Sequence, residues 1–122
     1  MFATLVLMSI RYVFAGIVVT DITAATAWYQ RLFGRSPDVL PNKREAMWQV
    51  VETGSVYLVE DPDRAGNSAM TMFVDDLDAE LAAIDQREIA SPEIKTVPGL
   101  FRATTFIDPD GNRVQLGQSL AR

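Results

Sequence analysis

Ala15-Gly16-Ile17-Val18-Val19-Thr20-Asp21-Ile22 and Met70-Thr71-Met72-Phe73-Val74-Asp75-Asp76-Leu77 carry one signal twice: a β-rich run that ends on aspartate and turns helical, repeated after 55 residues. An aspartate at such a junction accepts from the exposed amides of a first helical turn, so Asp21 and Asp76 read as N-caps. After the first cap, Ile22, Ala25, Trp28, Tyr29, Leu32 and Phe33 recur at three- and four-residue spacing, and Gly34 supplies a left-handed stop. After the second, Leu77, Leu81 and Ile84 form the stripe, with Asp78, Glu80, Asp85 and Arg87 outside it. Both stretches are amphipathic helices laid on a sheet. The Asp75-Asp76 pair is structural on this reading, because neighbours at a helix start point apart.

Three short strands follow each helix, near 38–40, 46–51 and 55–60, then near 93–97, 101–107 and 113–118. The order is β-α-β-β-β, twice. Module 1 covers about 12–60 and module 2 about 69–118, joined by the polar Pro/Gly linker 61–68. Neither module can bury a one-sided sheet alone, so the expected fold is a single α+β domain over 1–122. Its two βαβββ modules form a curved, mostly antiparallel mixed sheet with a concave cleft in front and the helices outside.

The last hairpin, Phe106 to Leu116, can be read more finely. Pro109 presets φ for a turn, and Asp110 and Gly111 suit positive-φ positions. Strand alternation then sends Val114 and Leu116 one way and Arg113, Gln115 and Gly117 the other. Gln115 is thus a polar side chain delivered to a defined place, either as a pocket donor or as a solvated strand residue.

Composition narrows the chemistry. With 122 residues, 48% of them apolar, the chain can bury a core without staples. A net charge of −5 opposes attraction to phosphate backbones, so no nucleic-acid partner is expected. The absence of cysteine removes disulfides and thiolate metal sites and fits a reducing cytoplasm. The absence of histidine removes the commonest general base and the usual nitrogen ligand for zinc, iron or copper. Met1 to Ile10 are mostly apolar but lack a basic lead and are too short to span a bilayer, with Arg11 closing them. An accessory strand is expected there rather than a signal peptide or membrane anchor, and Met8 is a second possible start.

The repeated β-α-β-β-β pattern, the entry Val18-Val19-Thr20-Asp21-Ile22 leading to Trp28-Tyr29 and Leu32-Phe33-Gly34, and the Asp108-Pro109-Asp110-Gly111-Asn112 turn together resemble the vicinal oxygen chelate superfamily. That group includes glyoxalase I, extradiol dioxygenases, fosfomycin-resistance enzymes and bleomycin-resistance proteins. The resemblance spans about Tyr12 to Gln118. It implies a divalent metal held by a histidine early in each module's first strand and by carboxylates late in the last strands. Carried over by position, those sites are Phe14, Ala69, Tyr57 and Gln115. Two of the four side chains have no lone pair, and neither a neutral tyrosine nor an amide brings the charge that offsets cation dehydration. Glu60 is no substitute, since alternation puts it on the face opposite Tyr57.

The same parity turns Phe14, Tyr57, Phe73, Arg113 and Gln115 toward the concavity, an apolar and aromatic wall with a few neutral donors. Trp48 has two readings, a stacking surface for a ligand or a core side chain. Arg102, with Thr104 on its strand face, could meet a ligand's carboxylate or phosphate, or could be an exposed edge-strand arginine. With that ligand set missing, the resemblance points to a metal-independent small-molecule-binding protein without a cofactor, comparable to bleomycin-resistance-like members and homodimeric as they are. Its ligand-binding candidates are Phe14, Trp48, Tyr57, Arg102 and Gln115. The alternative is a glyoxalase- or dioxygenase-type lyase or oxidoreductase with an atypical metal site, and fold alone does not choose.

Overall fold

Both helices start on their expected caps. In the computed structural model, which describes residues 8–121, β1 (Val13–Val19) runs to Asp21, whose carboxylate accepts from the Thr23 and Ala24 amides at 2.9 and 3.1 Å. There α1 (Ile22–Phe33) begins, and it stops at Gly34, φ 80°, whose N–H donates to the Gln30 carbonyl. Strands β2 (Val39–Asn42), β3 (Glu45–Val51) and β4 (Gly54–Glu60) complete the first module. The second repeats it as β5 (Ala69–Phe73), α2 (Leu77–Gln86), β6 (Lys95–Val97), β7 (Phe101–Ile107) and β8 (Arg113–Ser119). Asp76 caps α2 through the Ala79 amide at 3.1 Å.

A further cap follows the repeat. Glu60, at the end of β4, accepts from the Ile22 amide at 3.0 Å, and Gln118, at the matching place in β8, accepts from Leu77 at 2.8 Å. Each helix thus has its first orphan N–H satisfied by its own module's last strand.

The strands form two open four-stranded sheets, ordered β1-β4-β3-β2 and β5-β8-β7-β6. In each, the first strand runs parallel to the last and the other pairings are antiparallel. The α+β class and the two modules are as expected, while the eight strands divide into two sheets with no pairing between β1 and β5. The helix-side faces of both sheets bury into one shared cluster that includes Ile17, Tyr29, Trp48, Leu58, Leu81, Phe106 and Leu116. Burial of these side chains is the main stabilising term, at roughly 1.5–3 kcal/mol for each large one.

The Asp108–Asn112 turn closes the seam between the modules. Gly111 takes positive φ, 98°, but Asp110 does not. The Gly111 N–H donates to the Asp108 carbonyl at 3.0 Å, so Pro109 and Asp110 fill the centre of an ordinary turn and only the next residue must be left-handed. Asp110 serves instead as an acceptor, its carboxylate taking the Thr20 N–H at 3.1 Å. Asn112 is 0% exposed. Its Nδ2 donates to the Val18 carbonyl at 2.8 Å and to Asp108 at 2.9 Å, and its Oδ1 accepts from the Ser68 amide at 2.8 Å. Buried Asp108 also takes the Tyr29 hydroxyl at 2.7 Å and the Asp110 and Asn112 amides, so its charge is fully hydrogen-bonded. Burial first, and Asp108 second, hold the Tyr29 phenol neutral far above its ordinary range. The linker fits against this turn, since a Cβ on Gly66 (φ 93°) would meet the Asp110 carbonyl at 2.5 Å. On the other flank, Arg87 donates to the Arg31 and Leu32 carbonyls, satisfying the open end of α1 from the second module.

The accessory strand expected over 1–10 lies mostly outside the described residues; residues 8–10 are not in a strand. Among the described residues, no helix is long and apolar enough to cross a membrane.

Two variants test the seam. Asn112→Ala removes three hydrogen bonds of about 1 kcal/mol each, so urea unfolding gives a loss near 3 kcal/mol; a loss below about 1 kcal/mol would contradict the clamp. Tyr29→Phe costs roughly 1–3 kcal/mol at neutral pH. Because folding raises the phenol's pKa, its contribution is whole below the unfolded value of about 10 and fades as pH rises above it. The gap between parent and Tyr29→Phe therefore narrows between pH 9 and 11, and a constant gap would count against the assignment.

Candidate ligand-binding site

Because each sheet buries one face, its other face is left open. On the first sheet this face carries Phe14 opposite Ser55 and Gly16 opposite Tyr57, with Met47 beyond. Phe14 is 53% exposed and its ring lies 4.7 Å from that of Tyr12, whose hydroxyl is 2.6 Å from Ser55 Oγ. The Tyr57 ring lies over Gly16, where a Cβ would come within 2.8 Å of it. Glycine here lets an aromatic ring lie flat on the sheet.

The second sheet repeats the arrangement with other residues. Ala69 faces Arg113, Thr71 faces Gln115 and Phe73 faces Gly117, while β7 adds Thr105 beside Gln115 and Ala103 beside Gly117. Phe73 lies over Gly117, with a would-be Cβ at 2.7 Å, and its ring centre is 5.8 Å from that of Phe101. Thr71 Oγ1 donates to Gln115 Oε1 at 3.2 Å, which turns the amide nitrogen of Gln115 toward open space. A hollow of about 360 Å³ lies between Ala69, Thr71, Thr105, Arg113 and Gln115. A second, of about 410 Å³, shares Thr105 and Gln115 with it and extends over Ala103, Phe101, Val97 and Lys95.

The structure therefore puts Phe14 and Tyr57 together on one open face and Ala69 and Gln115 on the other. Each of these hollows is lined by the second module alone. The four positions do not fit a divalent metal: they offer a phenyl ring, a methyl group, a phenol and an amide. Among the described residues, no group of three or more His, Cys, Asp or Glu could hold one.

Two expected contacts face the other way. Trp48 is 0% exposed, packed at 5.2 Å from the Phe33 ring, and its indole N–H donates to the Arg35 carbonyl at 2.9 Å. It is core, because β3 pairs Met47, not Trp48, with Tyr57's face. Arg102 forms a two-pronged pair with Asp78 of α2, both bonds at 3.0 Å, so it lies on the helix side. The guanidinium holds the Asp78 carboxyl below its ordinary value. Thr104, also inward, donates to the Glu93 carbonyl at 3.0 Å. The hairpin pairs odd residues with odd, Thr105 with Gln115 and Ile107 with Arg113, so even-numbered Arg102 and Thr104 must share the face of Val114 and Leu116. Thr105 and Phe101 were legible from that parity; Lys95 was not, since its short edge strand carries little pattern.

A separate cavity of about 210 Å³ opens on the helix side at the seam, among Leu32, Phe33, Val50, Met72, Ile84 and Leu116. Its guanidinium, Arg35, is committed to Asp38 at 2.6 Å and to the Gln49 carbonyl, which leaves Glu80 and the Gln49 amide as its other polar side chains.

No protein-family model and no curated protein matches this sequence. Solved structures do. A glyoxalase/bleomycin resistance protein from Catenulispora acidiphila DSM 44928 is 38% identical, with 88% of this chain and 96% of that chain aligned at a TM-score of 0.83. TnmS3, an antibiotic-binding protein from Streptomyces sp. CB03234, is 27% identical over 92% of this chain and 98% of its own, with a TM-score of 0.72. Lactoylglutathione lyase from Agrobacterium tumefaciens shares the fold alone, at 19% identity over 88% and 92% of the two chains and a TM-score of 0.68. With its paired βαβββ modules and this degree of identity, the chain belongs to the glyoxalase/bleomycin resistance protein family of the vicinal oxygen chelate superfamily.

Proposed function

We propose that the protein is a metal-independent binder of small molecules, holding its ligand on the open faces of its sheets without turning it over. The carrying observation is the chemistry at the four positions where relatives would hold a metal: Phe14, Tyr57, Ala69 and Gln115 supply surface and neutral hydrogen bonding in place of charged ligands. No histidine stands in the chain to act as a base near neutral pH. That a 27% identical relative is an antibiotic-binding protein supports the same reading. Phe14 and Tyr57 provide apolar area, and Gln115 provides a directed donor. The reading places the binder in the cytoplasm, with neither cofactor nor nucleic-acid or membrane partner.

We also propose a homodimer. Val13, Phe14, Phe73 and Ile107 are each more than half exposed. Such surface favours association. The edge of β1 away from β4 is left without a neighbouring strand in its own sheet. A second copy would cover both features and give each open face an opposite wall. Sedimentation equilibrium should then yield a particle of two 13.5 kDa chains; a monomer at 100 μM would reject the dimer.

The function itself is tested by elemental analysis of protein purified without chelator, followed by thermal unfolding with Ni, Zn, Mn and Fe(II) and with a panel of aromatic and glycopeptide ligands. Metals should leave the midpoint within about 2 °C. A ligand at 100 times its Kd contributes about 2.7 kcal/mol, or a rise of roughly 10 °C for a domain of this size. Stoichiometric metal, or a large rise with one cation, would replace this reading with a lyase or oxidoreductase bearing an atypical metal site. Trp48→Phe should bind every ligand as the parent does, since the indole belongs to the core.

A further inference from the structure

We infer that the open face of the second sheet is built for an aromatic acid, its carboxylate or phenolate seated by Arg113 and Gln115 and its flat body lying toward Phe101. This rests on the small-molecule reading above and narrows it to a ligand class.

The two adjoining hollows carry an excess of donors. Arg113 opens β8 on this face and is exposed, and no carboxylate pairs with it; the ion pairs among the described residues are Arg35–Asp38 and Arg102–Asp78. Lys95 lies across the face on β6, opposite Ala103. Between them stand the Thr105 hydroxyl and the Gln115 amide nitrogen, whose oxygen is already occupied by Thr71. Glu93, at the rim beside Lys95, is the one carboxylate among the lining residues. A chain with 16 acidic and 11 basic residues thus gathers two cations against one acid here, the reverse of its overall balance. Global charge would favour a cationic ligand, but the groups within hydrogen-bonding reach decide recognition.

The apolar half of the face explains the rest of the ligand. Ala69 and Ala103 keep the floor low, while Val97 and Phe101 border it and Phe73, lying over Gly117, packs behind Phe101. A planar ring system can lie on such a floor and meet an aromatic edge, and its acidic group then reaches a guanidinium suited to two parallel hydrogen bonds.

Isothermal titration with three probes of one shape tests the inference: 2-naphthoate, 2-naphthamide and 2-naphthylmethylammonium. Naphthoate should bind at least tenfold more tightly than either of the others. Arg113→Gln should abolish that preference while leaving naphthamide within twofold, and Arg102→Gln, which removes the same charge from the opposite face, should change neither. Arg113 is exposed, so its variant should keep the parent's unfolding midpoint. Equal affinities, a preference for the ammonium, or naphthoate binding that is indifferent to Arg113→Gln would overturn the inference while the binder reading stands on the surviving affinity. If none of the three binds, the inference falls, and the broader ligand panel separately decides the function beneath it.

Discussion

Asn112 is the residue on which the arrangement of this molecule depends. Fully buried, it joins the Val18 carbonyl of β1, the Ser68 amide of the linker and the Asp108 carboxylate of its own turn. Asp108 in turn takes the Tyr29 hydroxyl from α1. A buried network in which every member is satisfied is costly to break, because each released group would be left desolvated and unpaired. Four segments from both modules are thereby fixed in one place, and the helix-side faces close into a single core. The outward faces follow from that closure.

What the outward faces can do is set by which atoms they present. Relatives of this fold include a lyase and an antibiotic-binding protein, so architecture alone is neutral between chemistry and capture. Here the late-strand position of the first module is a tyrosine lying over a glycine, and that of the second is a glutamine held by a threonine. Such groups shape a surface and direct hydrogen bonds. They do not bring the charge that a hard cation requires.

Much of this was legible from residues. Aspartate caps, helix stripes, the glycine stop after Phe33 and the strand–turn–strand at the end of the chain follow from local rules, and the structure has them. The family positions Phe14, Tyr57, Ala69 and Gln115 fell on the open faces because strand parity is local too. The misplacements came where side-chain chemistry was set above strand parity. Trp48 and Arg102 were weighed as ligand contacts on side-chain chemistry, whereas their faces were fixed by pairing with Val56 and Gln118 on neighbouring strands. Asn112 gave no sign of its role, since a turn asparagine ordinarily serves its own turn and its partners here are 44 and 94 residues away. The matching helix caps from Glu60 and Gln118 were hidden likewise, although the internal repeat aligns the two positions.

On the proposed function, the open sheet faces hold the ligand and the seam does not. Amide chemical-shift mapping during titration of a bound aromatic compound distinguishes the two places. The largest shifts should fall at residues such as Thr71, Thr105, Arg113 and Gln115, with Met72 and Ile84 unmoved. Shifts centred on Leu32, Met72 and Ile84 would place the ligand in the helix-side cavity and contradict the proposal.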